Sequence, residues 1–99
     1  MVKEIKENEF KNVISTGKVL VDCYATWCGP CRMLSPIIDQ LSDEIKEISF
    51  YKLDVDNAPN VSEEFGIMSI PTLLLFKDGK LNETIVGLRS KDEIEEFLK

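Results

Sequence analysis

Histidine is absent from the 99 residues, and cysteine occurs only at Cys23, Cys28 and Cys31. A structural zinc site takes about four such ligands. One Cys-x-x-Cys pair, with no histidine and no second pair, is a weak basis for metal binding. No apolar run approaches the roughly 20 residues of a membrane span. The opening Met1-Val2-Lys3-Glu4-Ile5-Lys6-Glu7 is charged where a signal peptide carries its apolar core, so a cytoplasmic protein that does not engage membranes is expected. Basic residues are also in the minority, 12 Lys and Arg against 18 Asp and Glu, for a formal charge of -6. With no basic stripe interleaved with aromatics, that balance points to protein or small-molecule partners and away from nucleic acid. Repeats, low-complexity tracts and linkers are lacking too. A chain that is 43% apolar can build a core at this length without staples, so a single domain over residues 1–99 is expected.

What is present is a regular alternation of elements. Val2 to Ile5 reads as a short edge strand, and Asn8 as the cap of a short helix carrying Phe10, Val13 and Ile14, with Gly17 to end it. Lys18 to Ala25 is nearly continuous apolar sequence around one acid, Asp22, the pattern of a strand covered on both faces. Leu34, Ile37, Ile38, Leu41 and Ile45 mark one stripe of a helix bent at Pro36. In Ile48 to Asp56, alternation places Lys52 on the same face as Ile48 and Phe50. Asn57 is expected to cap a third helix with Pro59 in its first turn and Gly66 as its stop. Thr72 to Phe76 turns at Asp78-Gly79 into Leu81 to Val86, a hairpin signal, and Ser90 with Glu93 forms a capping box for a last helix burying Ile94, Phe97 and Leu98. This βαβ then ββα order predicts an α/β fold, a central mixed sheet flanked by helices on both faces.

The chemistry concentrates in Ala25-Thr26-Trp27-Cys28-Gly29-Pro30-Cys31-Arg32, between the covered strand and the long helix. Residues three apart on a helix share a face, so the sulfurs of Cys28 and Cys31 can reach bonding distance. In a reducing compartment such a pair is more often catalytic or metal-binding than a permanent clasp. A helix N-terminus favours the thiolate at Cys28, the reactive form. Cys31 continues the apolar stripe of Leu34 and Ile38 and is expected to be the more buried sulfur with the higher pKa, poor as a first nucleophile and well placed to resolve. Cys28 would attack a target disulfide and Cys31 would release the reduced target. Asp22 is either a solvated or salt-bridged strand acid or, if buried, a proton acceptor for Cys31. Trp27 is either a core aromatic or, beside an exposed thiol, a partly exposed one. Cys23, alternating with Asp22, reads as an inert core thiol.

Trp27-Cys28-Gly29-Pro30-Cys31 after a strand holding Asp22, then Ile70-Pro71-Thr72, then Gly87 before the capping box, resembles the thioredoxin family over essentially the whole chain. The resemblance implies the thioredoxin fold and a general protein-disulfide reductase, a thiol-disulfide oxidoreductase cycling between a Cys28-Cys31 dithiol and disulfide. It makes Asp22 the buried catalytic acid, with Lys52 modulating it, and gives Ile70-Pro71 a cis bond facing the cysteines. Ile70 then offers a free backbone edge for an extended substrate, while Trp27, Gly29, Pro30, Pro71 and Gly87 complete a substrate contact surface. The Gly-Pro pair accompanies reductants in this family, against a disulfide oxidase or isomerase, and a non-catalytic interaction domain has no need of both sulfurs plus Asp22. No bound cofactor is implied; electrons come from NADPH through a flavoprotein thioredoxin reductase, the expected partner beside disulfide-containing protein substrates. No sequence feature demands a dimer, so a monomer is expected. Tyr24 departs from the family, which commonly has tryptophan there.

Overall fold

The computed structural model describes residues 1–99. Five strands form one mixed sheet: β1 (Lys3–Ile5), β2 (Lys18–Tyr24), β3 (Ile48–Asp54), β4 (Thr72–Lys77) and β5 (Lys80–Val86), in the spatial order β1-β3-β2-β4-β5. β3 runs parallel to both β1 and β2, whereas β4 is antiparallel to β2 and β5. The apolar run 18–24 therefore becomes the central strand, and its side chains alternate between two buried layers. Val19, Val21 and Cys23 face one layer, where Phe10, Phe65 and Phe76 pack with ring centroids 5.5–5.6 Å apart. Leu20 faces the other layer with Leu34, Ile38, Leu41, Phe50, Leu73 and Ile94.

Four helices cover these layers: α1 (Phe10–Val13), α2 (Gly29–Glu44), α3 (Pro59–Glu64) and α4 (Lys91–Phe97). The apolar stripe read along 34–45 is what seats α2, since Leu34, Ile38 and Leu41 are all buried against the sheet. Ser90 and Glu93 do form a capping box on α4. The hairpin turn falls at Asp78 and Gly79, whose φ angles of +49° and +87° are the paired positive values of a type I′ turn.

Two expected caps were misplaced. Asn8 lies inside a 3-10 turn over Glu7–Glu9, and it is Glu9 that closes the entry by accepting the Lys6 N–H at 2.8 Å. Asn57 ends a second 3-10 turn, Val55–Asn57, and its side chain donates to Asp54 Oδ2. α3 is instead capped from far away in sequence, by Glu7 Oε2 accepting the Val61 N–H at 2.8 Å. The strand expected over 48–56 is correspondingly two residues shorter, because the Asp54 carboxylate accepts the Asp56 N–H and starts that turn. Gly17, expected to stop α1, lies beyond the helix end at Val13; with φ of +74° it turns the chain into β2, its N–H held by Asp78 Oδ1 at 2.8 Å.

Candidate active site

β2 delivers its last residues to the sheet edge where α2 begins, which puts Ala25, Cys28 and Cys31 in one buried cluster against Tyr24, Val55 and Ile70. Cys28 and Cys31 are joined as a disulfide, with Cα atoms 5.3 Å apart. Cys28 is the N-cap residue of α2, extended at φ -89° and ψ 114°, and its sulfur accepts the Cys31 N–H at 3.2 Å. A sulfur in the cap position faces the unpaired N–H groups of the first turn, a setting that stabilises negative charge. Pro30 stands in that first turn, where its missing N–H leaves no partner unserved.

The expected difference in exposure between the two sulfurs is not present in this oxidised form. Cys28 is 5% exposed and Cys31 3%. Ile70 and Val55, distant in sequence, pack against the cluster that holds both sulfurs, and the Ile70 carbonyl contacts Cys28, a covering that helix spacing alone does not show. The asymmetry lies in their positions on the helix: Cys28 caps it and contacts the loop before β4, whereas Cys31 lies inside its first turn. Trp27, by contrast, is 67% exposed, and its indole N–H donates to Asp56 Oδ2 at 2.8 Å.

The Ile70-Pro71 bond is cis, and the loop it shapes abuts the disulfide, with Cys28 Sγ 3.9 Å from the Ile70 carbonyl oxygen. An oxidised sulfur has no proton to donate, so this is a contact. The Pro71 ring is buried while Ile70 is half-buried. Gly87 joins the same rim because its N–H donates to the Pro71 carbonyl at 2.8 Å. It does so at a φ of +94°, a backbone state that a side chain disfavours. Gly29 is half-buried and Pro30 exposed.

Beneath the cysteines, Asp22 is 4% exposed and its Oδ1 has no hydrogen-bond partner. Neither a solvated strand end nor a salt bridge describes it. Lys52 stands opposite it in the β2–β3 register, without a direct ion pair. Burial pushes the Asp22 carboxyl up to about 7, Lys52 draws it partly back, and Asp39 adds a further upward push. Cys23 lies on the opposite face, fully buried, its thiol pushed up to about 12 by burial and then by Asp22. Tyr24, half-buried, is raised as well, chiefly by burial and then by the neighbouring Glu4 carboxylate. On the Asp22 side, a small cavity of about 110 Å³ is bordered by Asp22, Cys31, Ser35, Lys52, Tyr24 and Arg32 among others. A larger groove of about 810 Å³ lies elsewhere, beside Glu4–Glu9 and Asn57; there Glu7 and Asp54 are already occupied in capping backbone and side-chain amides.

Asp56 and Arg32 did not emerge from the sequence. Arg32 Nη1 donates to the Thr26 carbonyl at 2.9 Å while its backbone N–H donates to the Cys28 carbonyl at 3.2 Å, tying the loop before the disulfide to the first turn of α2. Its i+4 spacing from Cys28 was a readable signal. For Asp56 there was none, because the indole it meets comes from 29 residues earlier.

Comparison with known proteins agrees with this arrangement. A family model described as Thioredoxin matches residues 1–99. The chain is 48% identical over 99 residues to a thioredoxin of Listeria monocytogenes, covering 99% of this chain and 96% of that one. It is 48% identical over 94 residues to a thioredoxin of Chlamydia muridarum, covering 95% and 92%. Among solved structures, the thioredoxin of Malassezia sympodialis matches with a TM-score of 0.90 at 35% identity, over 98% of this chain and 89% of its own.

Proposed function

Because the chain belongs to the thioredoxin family, we propose that its 99 residues act as one unit in which Cys28 attacks and Cys31 resolves. The fold is the thioredoxin fold, and the activity is that of a thiol-disulfide oxidoreductase, a protein-disulfide reductase. One observation carries the assignment of roles: the two sulfurs are bonded to each other at the N-terminus of α2, with Cys28 in the cap and Cys31 in the turn.

In the reduced form the α2 N-terminus and the Cys31 N–H favour a Cys28 thiolate. That thiolate forms a bond to one sulfur of a target disulfide, and the other target sulfur leaves with the electron pair. Cys31 then gives its proton to the Asp22 carboxylate and attacks Cys28 Sγ. The Cys28-Cys31 disulfide forms, and the second target sulfur departs as a thiolate, so two electrons have passed to the target. Asp22 suits this step because a carboxyl that titrates near 7 can take up a proton and return it at neutral pH. Lys52 is assigned the modulating role, since its charge is the one that lowers the Asp22 pKa.

The Ile70 N–H takes part in no hydrogen bond within the chain, which supports pairing of an extended target segment along Ile70 beside the sulfur. Trp27, Gly29, Pro30, Pro71 and Gly87 frame that edge. We assign reduction of the disulfide to NADPH acting through a flavoprotein thioredoxin reductase, with the protein monomeric, cytoplasmic and independent of membranes and nucleic acid. The reading is tested by insulin-disulfide reduction coupled to such a reductase and NADPH. Turnover that disappears in Cys28→Ser supports it; NADPH oxidation without insulin precipitation contradicts it.

A further inference from the structure

Serines inside helices usually turn the hydroxyl back onto a carbonyl three or four residues earlier. Ser42 does so, donating to the Asp39 carbonyl at 2.7 Å, and Ser62 does so to the Ala58 carbonyl at 2.9 Å. Ser35 does not, although an acceptor is at hand: Pro36 has no N–H to give the Arg32 carbonyl, which loses its usual partner four residues on. Ser35 borders instead the cavity shared by Asp22 and Cys31. It stands four residues after Cys31, on the same face of α2. At about 110 Å³, the cavity has room for water, and it is lined by the polar groups that water needs. Asp22 borders the same cavity and makes no hydrogen bond through its buried Oδ1.

We infer that Ser35 is a positioning residue for the proton that leaves Cys31, its hydroxyl linking the Cys31 side of the cavity to the Asp22 carboxylate. The inference rests on the resolving role proposed for Cys31 and the accepting role proposed for Asp22. As the Cys31 S–H bond breaks, the hydroxyl, with water in the cavity, accepts one proton and donates another to Asp22. Ser35 is unchanged, Asp22 ends protonated, and the Cys31 thiolate forms its bond to Cys28 Sγ as the target sulfur leaves. The charged and titratable groups around this path are Lys52 from β3, Arg32 and Asp39 from α2, and Tyr24 from β2; β4 contributes only Leu73 opposite Asp22. Three hydroxyls border the cavity, those of Tyr24, Thr26 and Ser35, and only Ser35 stands on α2, one turn after Cys31. A hydroxyl there can both accept and donate, which a lysine, an arginine or a carboxylate cannot do without changing charge.

The test is stopped-flow reaction of the fully reduced protein with 5,5′-dithiobis(2-nitrobenzoate). Attack by Cys28 releases a first coloured thiolate, and resolution by Cys31 releases a second in an intramolecular phase. For Ser35→Ala the second phase is expected to slow about fivefold near neutral pH, the kinetic equivalent of one ordinary hydrogen bond, with the first phase unchanged. The gap should narrow as the pH rises past the Cys31 pKa, where the thiol ionises without assistance. Ser35→Thr keeps the hydroxyl and is expected to recover the wild-type rate. A second phase equal to wild type across the pH range in Ser35→Ala overturns the inference, as does a Ser35→Thr rate as slow as Ser35→Ala. Asp22→Asn in the same assay separates the two layers of the argument. If it slows the second phase while Ser35→Ala does not, only the relay fails. If it leaves that phase unchanged, the accepting role of Asp22 fails and the relay with it.

Discussion

Burial of Asp22 makes the folded chain hold a proton that the unfolded chain gives up. Its carboxyl is raised from 3.8 to about 7. Between those values the native state binds more protons than the unfolded state, so stability falls as pH rises through the window. Below it both states are protonated and nothing is lost; above it the full cost is present. Asp22→Asn should therefore stabilise the protein by about 2–4 kcal/mol above pH 7 and by almost nothing below about pH 4, a difference that denaturant melts at the two pH values can read. An equal gain at both would mean that the carboxyl titrates normally. The Cys23 thiol, pushed up to about 12 and fully buried, should resist iodoacetamide at neutral pH in the reduced, folded protein while Cys28 reacts; peptide mapping that finds Cys23 modified first would contradict that assignment. At this scale the sequence showed much of the site, because a single acid in an apolar strand and two cysteines at helical spacing are local patterns. Ser35, Arg32 and Asp56 were not singled out in it. Their importance comes from what stands opposite, the cavity over Asp22, the Thr26 carbonyl and the Trp27 indole. The near-equal burial of Cys28 has the same origin, since Ile70 and Val55, distant in sequence, pack against its cluster.

Element ends divide into those closed by neighbours and those closed by distant residues. α4 is closed locally, with Ser90 Oγ accepting the Glu93 N–H and Glu93 Oε1 accepting the Ser90 N–H, both at 3.1 Å. α3 is closed by Glu7, 54 residues before Val61. Ser90→Ala and Glu7→Ala should each cost about 1 kcal/mol in chemical denaturation, the usual value of an N-cap. A loss below about 0.3 kcal/mol for Glu7→Ala would show that water replaces that cap without penalty. The contrast explains which boundaries could be read. Ser90 with Glu93 and Asp78 with Gly79 carry their signals within four residues. Asn8 and Asn57 had the right chemistry for a cap, yet carboxylates were better placed: Glu9 for the first, and Asp54 and Glu7 around the second.

For the molecule as a whole, two apolar layers hold one sheet, and the site sits where the central strand β2 hands the chain to α2. Phe76 is fully buried and meets both Phe10 and Phe65. Phe76→Ala should cost about 3–5 kcal/mol of global stability, read from the denaturation midpoint, while leaving the chemistry of the refolded protein intact. The layering was legible because the run 18–25 has almost no polar face and the stripe in α2 has one apolar face. The strand order β1-β3-β2-β4-β5 was not legible from periodicity, which marks a strand's buried face without identifying its neighbours. The account's central claim is the division of labour between the two sulfurs, and covalent trapping tests it most directly. Cys31→Ser incubated with insulin should accumulate a mixed disulfide released by dithiothreitol, with peptide mass spectrometry placing the linkage on Cys28. No adduct, or an adduct on Cys23, would contradict it.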